Sequence, residues 1–160
     1  MELILVRHGQ AEDSGTDGTD ETRGLTLEGQ KSLQKSMSGY CRLINSQKKY
    51  LIWSSPLIRA RQTADLFAQV LHVKKICQCD FIATGDFDAF INTLEDVAED
   101  TCLILVGHEP YLSSWSQQIC GISLPFKKGA AAALKMDLKS VPEGELLWFA
   151  QPRTFRLLSK

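Results

Sequence analysis

The chain has 160 residues, of which 44% are hydrophobic and 23% are charged, and its formal net charge at pH 7 is −1. This balance predicts a single globular domain over residues 1–160 and gives no support to nucleic-acid or anionic-membrane binding. We also expect no signal peptide and no membrane span, because the N-terminus lacks a basic segment followed by a long apolar run and no apolar run approaches about 20 residues.

The five cysteines indicate reduced thiols in a cytoplasmic protein. Their number is odd, and no two of them form a Cys-x-x-Cys pair. Cys77 and Cys79 are separated by one residue and alone are too few ligands for a zinc site. The pattern therefore favours structural thiols over a disulfide framework or a zinc site.

The first predicted element is a short buried strand over Leu3–Val6, an apolar run that is polar on both flanks. Arg7–Gly9 follow it directly, at the carboxyl end of the strand, where open α/β folds place their ligands. The next segment, Ala11–Gly24, is rich in Asp, Glu and Gly and has no apolar period, which predicts a surface loop. Arg23 stands near the end of this loop.

Apolar residues then recur at helical spacing after Thr26, which is a candidate N-cap. The predicted helix ends near Ser46, and its apolar face is formed by Leu33, Met37, Cys41 and Ile44. A second strand is predicted over Tyr50–Trp53. Pro56 suits the first turn of the following helix, which also contains Arg59, so that this arginine too lies near the carboxyl end of a strand.

The middle of the chain continues the alternation of strands and helices. Ile76–Phe81 is predicted to be a short strand or an extended connection, and Gly85-Asp86 to be a turn and N-cap. The third helix follows and is expected to end in the acidic pair Glu99-Asp100. Cys102–Val106 is the most apolar short run, which is typical of a central parallel strand, and His108 comes two residues after it.

The last third of the chain has a different pattern. A fourth helix is predicted to end at Gly121, and two strands over Ala130–Met136 and Leu146–Ala150 flank a turn, which indicates an antiparallel hairpin. Together the elements predict an α/β fold: a three-layer α/β/α sandwich with a mostly parallel central sheet.

Three predicted strand ends carry the residues that point to chemistry. Because parallel strands joined by right-handed crossovers end at one edge of the sheet, Arg7, His8, Arg59 and His108 are expected to converge there. Two guanidinium groups make a site for a phosphoryl group, and an imidazole among cations stays neutral and nucleophilic. Covalent catalysis there would pass through a phosphohistidine. No carboxylate cluster accompanies these strand ends, so we expect no metal and no other cofactor.

The motifs at these strand ends resemble those of the histidine phosphatase, or phosphoglycerate-mutase-like, superfamily. They are Leu-Val-Arg-His-Gly at 5–9, Ser-Ser-Pro-Leu-Ile-Arg-Ala-Arg-Gln-Thr at 54–63 and Val-Gly-His-Glu-Pro at 106–110. The acidic loop, the following Arg23-Gly24-Leu25-Thr26 and Gly29 resemble the SixA-type phosphohistidine phosphatases within that superfamily. The resemblance implies a phosphoglycerate-mutase-like fold.

The resemblance also implies a role for each matching residue. His8 is implied as the nucleophile and His108 as the second histidine of the pocket. Arg7 and Arg59 are implied as ligands of the phosphoryl oxygens, and Arg23 as a contact to the phosphate or to a partner protein. Larger relatives have a glutamate as general acid just after the third strand, and the residue nearest that place is Asp80.

The poor match at the acid position favours a phosphoramidate substrate, because an alkoxide leaving group needs a proton donor more than an imidazole does. The expected function is hydrolysis of phosphohistidine in a phosphorelay or phosphotransfer protein, with phosphate as product. Two alternatives remain open: a broad small-molecule phosphomonoesterase, and a non-catalytic module that binds a phosphoprotein.

Overall fold

The computed structural model describes residues 1–44 and 48–160. Its strands are β1 (Glu2–Arg7), β2 (Lys49–Ser54), β3 (Ile76–Gln78), β4 (Thr101–Gly107), β5 (Ala131–Met136) and β6 (Gly144–Ala150). Its α-helices are α1 (Leu27–Leu43), α2 (Ile58–Leu71), α3 (Asp80–Thr84), α4 (Phe87–Thr93), α5 (Tyr111–Cys120) and α6 (Pro152–Leu158), and a 3₁₀ turn covers Leu94–Asp96.

The six strands form one sheet in the order β3-β2-β4-β1-β5-β6. The pairs β1·β4, β2·β4 and β2·β3 are parallel, whereas β1·β5 and β5·β6 are antiparallel. The prediction of a mostly parallel sheet with a final antiparallel hairpin is therefore confirmed. In this order β1 and β4 lie at the centre, so the residues that follow both strands emerge side by side.

Alternating residues of the central strands build a core on each face of the sheet. Leu3 and Leu5 of β1 pack with residues of α3, α4 and α5, whereas Ile4 and Val6 pack with residues of α1, α2 and α6. All four side chains are fully buried, and each contributes roughly 1.5–3 kcal/mol to folding. Helices therefore cover both faces, as the three-layer prediction requires.

Helix α1 begins at its predicted cap. The Thr26 hydroxyl accepts a hydrogen bond from the Gly29 amide (2.9 Å), which satisfies one of the free donors of the first turn. The helix ends at Leu43, and the predicted end near Ser46 lies outside the described residues.

Helix α2 starts later than predicted, at Ile58, so the placement of Pro56 in its first turn is wrong. The Ser55 amide still donates to the Val106 carbonyl (3.1 Å) beyond the end of β2, and the Ser55 hydroxyl accepts from the Leu57 amide (3.3 Å). These bonds hold the chain at Ser55 and Pro56 outside the helix. Arg59 nevertheless lies in the first turn, as predicted.

The segment between β3 and β4 is more broken than the sequence indicates. Strand β3 stops at Gln78, and the predicted extension to Phe81 is wrong because α3 begins at Asp80. The third predicted helix is divided into α4, capped by Asp86 as predicted, and the 3₁₀ turn. It ends before the predicted Glu99-Asp100 because Val97 is extended and its side chain is buried in the core.

The C-terminal helix α6 was not predicted, and it supports the carboxyl end of β1. Its Phe155 ring stacks on Tyr40 with the ring centroids 3.8 Å apart, and the Tyr40 hydroxyl donates to the Gly129 carbonyl. The Gly129 amide in turn donates to the carbonyls of Arg7 (3.1 Å) and His8 (3.0 Å). A chain of packed and bonded groups thus connects the last helix to the segment after β1. In the described part of the chain, no helix is both long and apolar enough to cross a membrane.

Candidate active site

The two histidines meet at the carboxyl edge of the sheet. In the β1·β4 register Arg7 lies opposite Gly107, and the His8 amide donates to the Gly107 carbonyl (3.2 Å). The next residues therefore emerge together: the ring centroids of His8 and His108 are 5.0 Å apart. Both residues are only 6% exposed. The convergence of these two strand ends, expected from the sheet order, is present in the structure.

The His8 imidazole is held in one tautomer. Its Nδ1 lies 2.7 Å from the Gly9 carbonyl oxygen, and because a carbonyl oxygen only accepts, we assign the proton to Nδ1. Burial, together with the nearby His108, Arg59 and Arg7, lowers the pKa of His8 to about 3, although the hydrogen bond to the Gly9 carbonyl opposes this shift. The ring is therefore neutral near pH 7, and Nε2 carries a free lone pair.

The His108 imidazole is buried without a hydrogen-bond partner in the described part of the chain, at either nitrogen. Burial, together with Arg59 and Arg7, lowers the pKa of His108 to about 4, although Asp20 opposes this shift. A neutral imidazole has one N–H donor and one acceptor. Because a buried polar group without a partner is costly, this ring is suited to bind a ligand atom next to His8.

Arg7 is anchored at one end of its guanidinium. Its Nη1 donates to the Phe126 carbonyl (2.7 Å), while its Nε is buried and without a partner within the described residues. Burial lowers the pKa of Arg7, and the Glu109 carboxylate opposes that shift. Glu109 accepts from the Phe126 amide (3.1 Å) and from the Ser113 amide (3.1 Å). It thereby fixes the segment to which Arg7 binds.

Arg59 and Arg23 are joined by one carboxylate. Arg59 donates from Nη2 to Asp20 Oδ2 (2.8 Å) and from Nη1 to the Asp20 carbonyl (2.7 Å). Arg23 donates from Nη1 to Asp20 Oδ1 (2.7 Å). The Arg59 side chain is 8% exposed, and its charge lowers the pKa of both site histidines. Arg23 is thus connected to the site through Asp20.

Asp80, the predicted general acid, is not engaged by any arginine of the site. It is exposed, in the first turn of α3, and within the described residues its carboxylate has no hydrogen bond or ion pair. It is also not among the charges that shift the pKa of either site histidine. Its assignment as a general acid stays a prediction.

Two functional candidates, Asp20 and Glu109, were missed by the sequence analysis. Glu109 directly follows His108, so its place in the third motif was the available signal. Asp20 gave a weaker signal, its position three residues before Arg23 in a loop with several other acidic residues.

The site is suited to an anion rather than to a metal. In the part of the chain that the structure describes, no group of three or more His, Cys, Asp or Glu side chains could hold a metal ion. The guanidinium groups of Arg7, which is partly buried, and Arg59, which is buried, and an unpartnered imidazole instead offer donors to a tetrahedral oxyanion. The free Nε2 of His8 is available beside them as a nucleophile.

The lowered histidine pKa values predict a loss of stability in acid. Between about pH 6.5 and pH 4 the unfolded chain protonates His8 and His108 while the folded chain does not, so the free energy of unfolding falls as the pH falls, by up to about 1.4 kcal/mol per pH unit for each histidine. Urea unfolding at several pH values measures this slope. We expect a smaller slope for His108→Gln than for the wild type; equal slopes for the two proteins would contradict the assignment.

Comparison with protein families places the first half of the chain in a known superfamily. The model of the histidine phosphatase superfamily (branch 1) matches residues 3–82, half of the chain. This segment contains the first two motifs, including His8 and Arg59. An uncharacterized protein of Picosynechococcus sp. is 30% identical to this chain over an alignment of 170 residues, which covers 96% of this chain and 98% of that protein.

Solved structures share the fold over nearly the whole chain. The protein histidine phosphatase SixA complexed with tungstate has a TM-score of 0.75 at 20% identity, with 96% of this chain and 98% of that chain covered. The alpha-ribazole phosphatase from Shigella flexneri has a TM-score of 0.71 at 16% identity, with 95% and 97% covered. At these identities the likeness shows the fold, and it confirms the predicted phosphoglycerate-mutase-like class.

Proposed function

Because this chain belongs to the histidine phosphatase superfamily, whose members are phosphatases, we propose that it hydrolyses phosphohistidine on a partner protein. The partner is a cytoplasmic phosphorelay or phosphotransfer protein. His8 Nε2 attacks the phosphorus atom, the P–N bond to the partner's imidazole breaks, and the phosphoryl group is held on His8. Water then attacks this phosphohistidine, which releases inorganic phosphate and regenerates His8.

The surrounding residues hold the phosphoryl oxygens in both steps. Arg7 and Arg59 offer guanidinium donors, and His108 offers an N–H from a ring 5.0 Å from that of His8. These donors stabilise the charge on the equatorial oxygens while the phosphoryl group is transferred. Neutral His8 is the reactive form, and its lowered pKa keeps it neutral near pH 7.

The choice of substrate rests on the hydrogen bonds that already engage the carboxylates around the site. Among the described residues, Asp20 is bonded to Arg59 and Arg23, and Glu109 accepts from Ser113 and Phe126. Both are engaged as acceptors, and Asp80 is not among the charges that act on either site histidine. An alkoxide needs a proton from such an acid in order to leave, whereas the imidazole of a phosphohistidine can take a proton from water on its other nitrogen and then leaves as a neutral ring. The site therefore suits a P–N bond better than a P–O bond.

The likeness to SixA adds support of a second kind. The fold that matches this chain over 96% of its length belongs to a protein named as a histidine phosphatase and crystallised with tungstate, a tetrahedral oxyanion. The same fold also serves the alpha-ribazole phosphatase. The fold alone therefore favours a phosphatase, and the engaged carboxylates favour the phosphohistidine substrate.

A comparison of substrates tests this proposal. We expect kcat/KM for a phosphohistidine protein to exceed that for sugar phosphates by at least about tenfold, since their alkoxides leave poorly without an acid. p-Nitrophenyl phosphate serves as the reference, because its nitrophenolate leaves without a proton. Higher activity on the sugar phosphates would replace the proposal with a broad phosphomonoesterase. Binding of the phosphoprotein without turnover would indicate the sequestering module instead.

A series of aryl phosphates tests directly whether the site lacks an active general acid. Without a proton donor, the rate of phosphoryl transfer should rise steeply as the pKa of the leaving phenol falls. A rate that is nearly independent of that pKa would reveal an active general acid and contradict the argument from the carboxylates.

A further inference from the structure

The Asp20 carboxylate occupies donors of the arginine that the proposed function gives to phosphate. Its two oxygens accept from Arg59 Nη2 (2.8 Å) and Arg23 Nη1 (2.7 Å), and its main-chain carbonyl accepts from Arg59 Nη1 (2.7 Å). Asp20 is also among the charges that act on His108, whose pKa it raises. The carboxylate is therefore close enough to His108 to act on its charge.

The loop that contains Asp20 is stabilised by hydrogen bonds between its own residues. Asp17 accepts from the Thr19 amide (2.9 Å), from the Thr19 hydroxyl (2.7 Å) and from the Thr22 hydroxyl. The Gly18 amide donates to the Gly15 carbonyl (3.0 Å). The carboxylate is thus presented by a folded turn and is not placed by its contact with Arg59 alone.

The two ends of the loop are tied together next to the site. Ala11 and Leu25 form an isolated antiparallel bridge, and the Glu12 amide donates to the Gly24 carbonyl (2.9 Å). Arg23 Nε donates back to the Glu12 carbonyl (2.6 Å). These bonds hold the base of the loop beside β1 and leave Asp20, which is 59% exposed at its side chain, at the rim of the site.

The charge state of Asp20 excludes the role of proton donor. The hydrogen bond from Arg59, followed by that from Arg23, lowers the pKa of this carboxyl below its ordinary value. It is an anion near pH 7, like the phosphoryl group. Two anions cannot both be stabilised by the same guanidinium donors without mutual repulsion.

We infer that Asp20 is a specificity-determining residue that competes with the phosphoryl group for Arg59 and thereby weakens the binding of inorganic phosphate and small phosphate esters. This inference rests on the proposed function, because it takes Arg59 as a ligand of the phosphoryl group. A small ester has only its phosphate to displace the carboxylate. A phosphorylated protein also makes contacts outside the pocket, which can offset the free energy needed to displace the carboxylate. Inorganic phosphate makes no such contacts, so the product is released more readily.

Binding of inorganic phosphate tests the inference without any turnover. Isothermal titration at constant ionic strength compares the wild type with Asp20→Asn, in which the amide keeps the shape and an acceptor oxygen but carries no charge. We expect phosphate to bind about tenfold more tightly to Asp20→Asn, because a like charge beside the anion is removed. Asp13→Asn is the matched control: it removes one negative charge from the same loop, at an exposed residue with no hydrogen bond within the described part of the chain, and should bind phosphate as the wild type does.

Two results would overturn the inference. Unchanged phosphate affinity in Asp20→Asn would show that the carboxylate does not compete, and weaker affinity would show that its task is to position Arg59. If the wild type binds too weakly to measure, the appearance of binding in Asp20→Asn supports the inference and its absence overturns it. Failure of the proposed function would appear elsewhere, as lack of turnover of the phosphohistidine protein by the wild type.

Discussion

Replacement of His8 by asparagine is expected to lower kcat/KM by on the order of 10⁴-fold or more, since removal of a covalent nucleophile leaves only binding and electrostatic stabilisation. The asparagine amide can still donate toward the Gly9 carbonyl, as His8 Nδ1 does over 2.7 Å, but the variant lacks Nε2. Rapid quench with a labelled phosphohistidine donor measures the effect: the wild type should form an acid-labile, base-stable phosphoryl adduct, and His8→Asn should form none.

The matched control is His72→Asn. His72 is an exposed histidine at the C-terminal end of α2, where it has a positive φ of 55°, a conformation that asparagine tolerates. It should keep both the adduct and the activity. An adduct that persists in His8→Asn would move the nucleophile to another residue. Rapid loss of substrate without any adduct in the wild type would contradict the covalent step.

Replacement of Arg59 by alanine is expected to lower kcat/KM by about 10²–10³-fold, the usual cost of removing one donor that stabilises developing charge. The side chain is 8% exposed, and water cannot replace its fork of N–H groups without reorganisation. Steady-state kinetics on the phosphohistidine protein measures the loss. The same variant should raise the pKa of His108 above about 4, because Arg59 is the charge that lowers it most after burial; an NMR titration reads this directly.

Arg61→Ala controls for the loss of one positive charge from the same helix. Arg61 is exposed, two residues further along α2, and its removal should change kcat/KM by less than about twofold, as is usual for a charge that solvent screens. If both variants lose activity equally, the effect comes from the overall field of the helix. An Arg59→Ala protein with full activity would remove Arg59 from the phosphoryl site.

The sequence was informative wherever a residue's position followed from the periodicity of a strand or helix. Val6 and Val106 end two apolar runs that pair in register, so the side-by-side placement of His8 and His108 could be predicted from parallel pairing alone. Arg59 followed in the same way from the first turn after β2. These positions depend on short-range patterns and on the common direction of parallel strands.

The parts that were missed depend on contacts that the local pattern does not encode. The Asp20 carboxylate meets Arg59 across 39 residues of chain, and nothing in the loop composition distinguishes it from Asp13 or Asp17. Helix α6 is short and begins at a proline, so its apolar residues give no clear period. Ser55 shows the reverse case, in which sheet hydrogen bonds delay a helix that the local sequence favours.

The connection from α6 to β1 has a consequence for any shortened or fused version of this protein. A chain that ended after β6 would keep His8, His108 and every arginine of the site, yet it would lose the ring that stacks on Tyr40. The Tyr40 hydroxyl donates a hydrogen bond to the Gly129 carbonyl. The Gly129 amide in turn donates to the main-chain carbonyl of His8, the proposed nucleophile. The minimal catalytic unit is therefore larger than the set of residues that perform the chemistry.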